Sequence, residues 1–375
     1  MFRVMVLFGT RPEAIKMAPI IRALAAAQIE PIVCFTGQHR AMAEAVMQVF
    51  GIKPDIDLNV MQPGQSLEGL TAALMTALPA AVEQAHPDIV LVQGDTTTAM
   101  VGALAGFYKG VPVGHVEAGL RTGNMQHPWP EEANRRMIGV LATRHYTPTR
   151  TATENLVREN IDRKAIVETG NPVVDALKFV RARFAEDPAF RRGFDQKFGW
   201  LDRTRKMVLV TGHRRESFGS AFESICRAIR EIAAVPGTEV VYPVHLNPHV
   251  REPVNRILGG VANVRLLDPV AYDEFIYLMD RAYLILTDSG GVQEEAPSFG
   301  KPVLVMRETS ERQEAIEAGV ARLVTTDFHR IVAETTTLLT EPNAYSAMAH
   351  VSNPFGDGTA SQQIAKDILQ HVPYS

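Results

Sequence analysis

The 22 residues HVEAGLRTGNMQHPWPEEANRR, from His115 to Arg136, are the densest chemistry in this chain. They gather Glu117, Glu131 and Glu132 with His115, His127, Arg121, Arg135 and Arg136. A solvated charge run has no need of Gly119, Gly123, Pro128, Trp129 and Pro130, which bend or restrict the backbone. Acids, bases and turn formers directly after an apolar run point to side chains gathered for chemistry.

Four further clusters also follow apolar runs. In FGTRPEAIK, Pro12 suits the first helical position, and the cations Arg11 and Lys16 lie near a helix start. The partial positive charge there disfavours cations unless an anion arrives, so a bound phosphate and a solvent-facing lysine are equal readings of Lys16. In GDTTT, Asp95 ends a strand, where capping the next helix is the commoner fate and catalysis the alternative. TGHRRES sets His213, Arg214 and Arg215 at a strand end; such a cluster is more often a solvated surface, but its place directly after an apolar strand favours phosphate donors. In DSGGVQEE, the N–H groups around Ser289, Gly290 and Gly291 suit a pyrophosphate, and Glu294 or Glu295 the ribose hydroxyls. A tight turn with acids at a helix start is the plain alternative there. His245 and His249 lack carboxylate neighbours and are split by Pro248, so no metal site is expected.

The elements that position these clusters are legible as an alternation. Strands are expected at 2–9, 31–36, 88–93, 111–116, 144–147 and 165–169. A second series is expected at 207–212, 239–244, 263–267, 283–287, 302–306 and 321–325. Between them lie helical spacings such as Met17, Ile20, Ile21 and Leu24. Strands apolar on both faces that alternate with helices imply parallel sheets covered by helices. The series breaks near 170–206, where GNPVVDALKFV leads into a charged stretch, which predicts two doubly wound, Rossmann-like α/β domains facing a cleft. The expected boundaries are 1–169 and 170–358, with the last helix (359–375) packing back on the first domain. Ligands of such sheets bind at the strands' carboxyl ends, which predicts a site between the domains.

Bulk properties narrow the class. At 375 residues the chain exceeds one ordinary core. A net charge of −4 gives no reason to expect nucleic acid or an anionic membrane as partner. The opening FRVMVLFG has no signal-peptide character, and no apolar run reaches the ~18 residues of a membrane span. Two distant cysteines, Cys34 and Cys226, in apolar surroundings fit a reducing, cytoplasmic compartment. GxGxxG, GxxxxGK[ST] and GxSxG are all absent, which disfavours tightly held NAD, ATP hydrolysis and serine-esterase chemistry. Basic grips and several carboxylates remain, a combination that fits a substrate whose leaving group is a nucleoside diphosphate.

Taken together, FGTRPEAIKMAP, GDTTT, GHVEAGLRTG, PWPEEANRR, TGHRRESFG, YPVHLNP, DSGGVQEEAP, GKPVLVMR and NPFGDG resemble the non-hydrolysing UDP-N-acetylglucosamine 2-epimerases. The resemblance implies a GT-B-like fold and interconversion of UDP-GlcNAc with UDP-ManNAc, without metal or redox cofactor, for cell-surface polysaccharide. It implies elimination of UDP to a 2-acetamidoglucal followed by readdition. Asp95, Glu117 and Glu131 match acid/base positions, and His213 a diphosphate-holding one. Arg11, Lys16, Arg135, Ser289, Gly290, Gly291, Glu295 and Arg312 match substrate-binding positions, and Phe275 lies where uracil is contacted. Gln38, His39 and Gln65 match parts of a site for a second, activating UDP-GlcNAc, although Gly64 stands where an arginine is used. A homodimer is also implied. The chain departs from the family pattern at His127, Pro172, Val270 and Gln313. A GT-B glycosyltransferase using a UDP-sugar and a nucleotide-sugar-binding regulator are the competing readings.

Overall fold

The computed structural model describes residues 2–38, 40–62 and 64–372; His39 therefore lies outside the described residues, as does the side chain of Arg215. The chain divides into two compact units, Met1–Phe179 with Phe355–Ser375, and Val180–Pro354.

The first unit is built on β1 (Arg3–Phe8), β2 (Glu30–Phe35), β3 (Ile56–Asp57), β4 (Ile89–Gln93), β5 (Val113–Val116), β6 (Arg144–Thr147) and β7 (Ile166–Glu168). They form one parallel sheet in the order β3-β2-β1-β4-β5-β6-β7. The second unit carries β8 (Lys206–Thr211), β9 (Thr238–Pro243), β10 (Val264–Leu267), β11 (Leu284–Thr287), β12 (Val303–Val305) and β13 (Ala321–Leu323). Their order is β10-β9-β8-β11-β12-β13, again all parallel. The α/β class and the doubly wound parallel sheets agree with the sequence reading. Every residue of β4, IVLVQ, is buried, because helices cover both faces of a parallel sheet.

Strand order reverses between β1 and β4 in the first unit and between β8 and β11 in the second. Such a switch point leaves an open crevice at the carboxyl ends of the two strands. The loops that leave these four strands are GTRP, GDTTT, TGHRRES and DSGG, four of the five clusters singled out by chemistry. Glu117 leaves the neighbouring β5.

Two differences from the sequence reading have physical causes. The edge strand β3 is only two residues long and pairs Ile56 and Asp57 with Cys34 and Phe35, too short to carry a periodic signal. The units divide at Phe179/Val180 rather than Gly170, because the helix Pro172–Glu186 starts in one and ends in the other. Its first half packs within the first unit, where Phe179 stacks on Phe50 and Asp175 accepts from the Ser361 amide. Its second half belongs to an aromatic cluster of the second unit, with Phe184 against Phe190, Phe194 and Tyr277. The charged stretch is thus two helices, and Asp187 caps the second, Pro188–Lys197, by accepting from Ala189 and Phe190 at 3.0 Å. The last helix, Ala360–His371, packs on the helix Arg11–Ala26 of the first unit. There Asp367 accepts from Arg144 Nε at 2.9 Å and from the Tyr146 hydroxyl at 3.1 Å.

Candidate active site

The first unit holds a buried ionic cluster centred on Glu117. Glu117 follows β5 with φ +61°, the left-handed region that side-chain-bearing residues avoid. Such a conformation costs roughly 1–3 kcal/mol and persists where the surroundings over-determine it, commonly at functional sites. Its carboxylate is 3% exposed and takes donors on both oxygens. Lys16 and the Asn171 amide (3.2 Å) donate to Oε2, and Arg135 donates to Oε1 at 3.0 Å. Arg135 also donates to the Glu117 carbonyl at 2.7 Å and pairs with Asp95 at 2.7 Å. An isolated buried carboxylate costs several kcal/mol in desolvation; two cations and an amide offset that cost here.

Surrounding groups hold this cluster in place. Glu13 accepts from the Gly9 and Thr10 amides at 3.0 and 2.8 Å and from the Thr96 hydroxyl at 2.6 Å. It thereby ties the β1 and β4 loops together across the switch point, and burial pushes its pKa up. Asn134 donates to the Asp95 carbonyl at 2.8 Å. His115 bonds the Gly94 carbonyl at 2.8 Å through Nε2. Burial, with Arg135 nearby, holds the His115 pKa well below the usual histidine range, so the ring is neutral and donates. Glu132 accepts from the Thr122 amide at 2.9 Å and pairs with Arg136, and so orders the loop. Glu131 opens the helix Glu131–Leu141, and its buried Oε2 has no hydrogen-bond partner among the described residues.

The structure corrects two local readings. Asp95 does not cap the helix Thr97–Tyr108; Thr96 does, accepting from the Ala99 amide at 3.0 Å, which leaves the Asp95 carboxylate for Arg135. Lys16 is buried in the second turn of its helix rather than facing solvent, and an anion it meets is Glu117 of the same chain. Arg11 opens that helix half-buried.

The second unit holds the residues expected to contact a nucleotide. Asp288 is buried and accepts the His213 and Arg214 amides on Oδ2 at 2.7 and 2.8 Å, which shapes the loop after β8. The His213 ring is 43% exposed, lies 3.5 Å from Asp288 Oδ1 and stacks on His245 with centroids 5.3 Å apart. Ser289 precedes the helix Gly290–Glu295 and donates its amide to Thr287 at 3.0 Å. Arg312 pairs with Glu294 at 2.7 Å, and its guanidinium lies over Gly290. Glu295 accepts from the Tyr272 hydroxyl at 3.1 Å, and Phe275 lies half-buried one turn on in the helix Tyr272–Arg281. Arg307 braces the surrounding loops between Glu216 (2.7 Å) and Glu311 (2.8 Å). Burial opposes ionisation of Glu311, yet the Arg307 hydrogen bonds and charge outweigh it and hold that carboxyl at about 2.

Of the activator positions, Gln38 accepts from Thr98 at 3.3 Å and Gln65 from the Gln62 amide at 3.2 Å. Among the described residues no group of three or more His, Cys, Asp or Glu is arranged to hold a metal, and no helix is long and apolar enough to cross a membrane.

The sequence reading missed Glu13 and Asn171. Thr10-x-x-Glu13 is a capping-box spacing and could have been recognised. Asn171 before Pro172 signals a helix start, but nothing local ties it to Glu117, 54 residues away.

Residues 22–369 match the family model for UDP-N-acetylglucosamine 2-epimerase. The chain is 55% identical to a UDP-N-acetylglucosamine 2-epimerase of Escherichia coli strain K12, over 96% of this chain and 97% of that one. It is 54% identical to one from Yersinia pestis, over 98% and 99% respectively. A crystal structure of UDP-GlcNAc 2-epimerase from Neisseria meningitidis bound to UDP-GlcNAc superposes with a TM-score of 0.93 at 45% identity, covering 99% of this chain and all of that one.

Proposed function

The chain belongs to the UDP-N-acetylglucosamine 2-epimerase family, and from that premise we propose that it interconverts UDP-GlcNAc and UDP-ManNAc without net hydrolysis. The sugar's C2 proton is not activated by a carbonyl, so simple deprotonation is implausible. In the proposed reaction a carboxylate removes H2 while the C1–O bond to UDP breaks, giving 2-acetamidoglucal and UDP. Readdition of UDP at C1, with a proton delivered to the opposite face of C2, completes the inversion.

Glu117, Glu131 and Asp95 share the acid and base roles. The observation that carries this reading is the Glu117 carboxylate, buried in left-handed backbone beside Asp95 and gripped by Lys16 and Arg135. Glu131, with one buried oxygen unpaired among the described residues, supplies a further proton-handling group. Lys16 and Arg135 act first on these carboxylates. Arg11 at its helix start, His213 and Arg312 hold the diphosphate as negative charge develops on it. The amides around Ser289, Gly290 and Gly291 add donors, Glu295 takes the ribose hydroxyls and Phe275 flanks the uracil.

The same reading extends to partners. The Gln38–Thr98 contact links the activator positions to the GDTTT loop, which supports binding of a second UDP-GlcNAc as activator. Exposed Phe107, Tyr108, Met137 and Val140 on two adjoining helices support a homodimer, which sedimentation velocity tests. UDP-ManNAc for cell-surface polysaccharide is the proposed product, made in the cytoplasm.

The decisive experiment follows the C2 proton of UDP-GlcNAc in D2O. Deuterium at C2 together with new UDP-ManNAc is expected. Transfer of the sugar only on addition of an acceptor would indicate a glycosyltransferase, and no turnover a binding protein.

A further inference from the structure

Asn171 stands where the chain leaves the first unit, and it has three tasks. Its side-chain Oδ1 accepts from the Val173 amide at 3.1 Å, which caps the helix Pro172–Glu186. Its main-chain N–H donates to the Phe355 carbonyl at 2.7 Å, where the chain returns. With Oδ1 engaged by Val173, the amide orientation is set, and Nδ2 points its hydrogens at Glu117 Oε2, 3.2 Å away. Asn171 is 1% exposed, so this is an interior contact rather than a surface one. The backbone around it is equally constrained. Gly170 has φ +83° and lies against Phe355 and Gly356, where an added Cβ would meet backbone atoms at 3.1 Å.

We propose that Asn171 is a positioning residue of the reaction, its amide fixing the Glu117 carboxylate while its backbone joins the departing and returning segments of the chain. This inference rests on Glu117 being a proton-handling group. Two cations already face that carboxylate, Lys16 from the Arg11–Ala26 helix and Arg135 from the Glu131–Leu141 helix, with Asp95 beyond Arg135. Charge is therefore supplied without Asn171. What Asn171 adds is a neutral, directional donor of fixed geometry on the Oε2 side. Because the same residue caps the outgoing helix and bonds the returning segment at Phe355, displacement of either reaches the carboxylate through a single residue.

Capping and positioning are separable by substitution. Serine and aspartate are both good helix caps, so Asn171→Ser and Asn171→Asp preserve the helix start. Serine is too short to reach Glu117, and aspartate replaces the donor with a second carboxylate. The expected result is melting temperatures near that of the unaltered protein, with kcat lowered about tenfold in Asn171→Ser and KM for UDP-GlcNAc little changed, since a misplaced reacting group costs rate rather than affinity. In Asn171→Asp, like-charge repulsion should also move the acid limb of the kcat–pH profile up by about one pH unit. A purely structural role predicts that both variants keep kcat and the profile. That outcome, with Glu117→Gln inactive in the same assay, overturns the positioning role and leaves the reading of Glu117 intact. An active Glu117→Gln would instead remove the premise.

Discussion

The two units solve opposite problems with similar sheets. In the first, the ionisable groups are sunk into the protein and matched to one another: Glu117 is 3% exposed, Arg135 8% and Lys16 11%. In the second, the paired acids Asp288 and Glu294 are buried, whereas His213, at 43% exposure, turns toward solvent. Proton transfer to carbon needs carboxylates held in one geometry, at a dielectric where their charges count. A nucleotide grip needs donors that a ligand can reach, on loops braced from behind. Under the proposed function, a buried cluster suits the first task and accessible donors the second.

The sharpest way to break this contrast is to neutralise the buried carboxylate without changing its shape. Glu117→Gln is expected to lower kcat by at least ~10²-fold while leaving UDP affinity within about twofold; near-normal turnover would remove Glu117 from the chemistry. Arg135→Met strands Glu117 and Asp95 without their shared guanidinium. It should cost about 3 kcal/mol in urea-denaturation stability, as loss of one partner from a buried ion pair does. A stability change below ~1 kcal/mol would show that the cluster behaves like a surface one. In the second unit, His213→Ala should weaken UDP binding about tenfold by calorimetry, as loss of one hydrogen bond to a charged group does, with little loss of stability. Unchanged affinity would return TGHRRES to a structural role.

The smallest effect concerns acid stability. His145 is buried in β6 of the first unit, and burial pushes its pKa down to about 4 from an ordinary value near 6.5. The folded value lies below the unfolded one. The unfolded chain therefore takes up the proton first, and stability is full above about 6.5 and lost as the pH falls toward 4. His115 acts in the same direction. Melting temperature measured from pH 7 to 4 should fall less steeply in His145→Asn than in the unaltered protein; parallel curves would exclude His145 as a contributor.

Much of this organisation was readable from the chain. The twelve expected strands are all present, because short apolar runs bounded by turn residues leave little choice in a helix-covered parallel sheet. The site loops were legible because each follows such a run. What was misread was local competition between neighbours. Asp95 and Thr96 are both competent caps, and only backbone geometry selects Thr96. Lys16 was read as exposed or anion-binding because its partner lies 101 residues away in sequence. Asn171 gives no local signal of its contact with Glu117, since a helix-capping asparagine before proline already has a sufficient local explanation.

By itself, then, the sequence determined the α/β class, the two sheets and the family. These follow from periodicity, turn chemistry and motifs contained in a few adjacent residues. Tertiary structure decided which charges meet. The order β1-β4-β5 sets three loops side by side, so Lys16, Asp95 and Glu117 converge although no local pattern relates them. The helix Glu131–Leu141 then brings Arg135 between two of the carboxylates. A buried charge is tolerable only where its partners arrive together, and that arrival is a property of strand order, not of spacing along the chain.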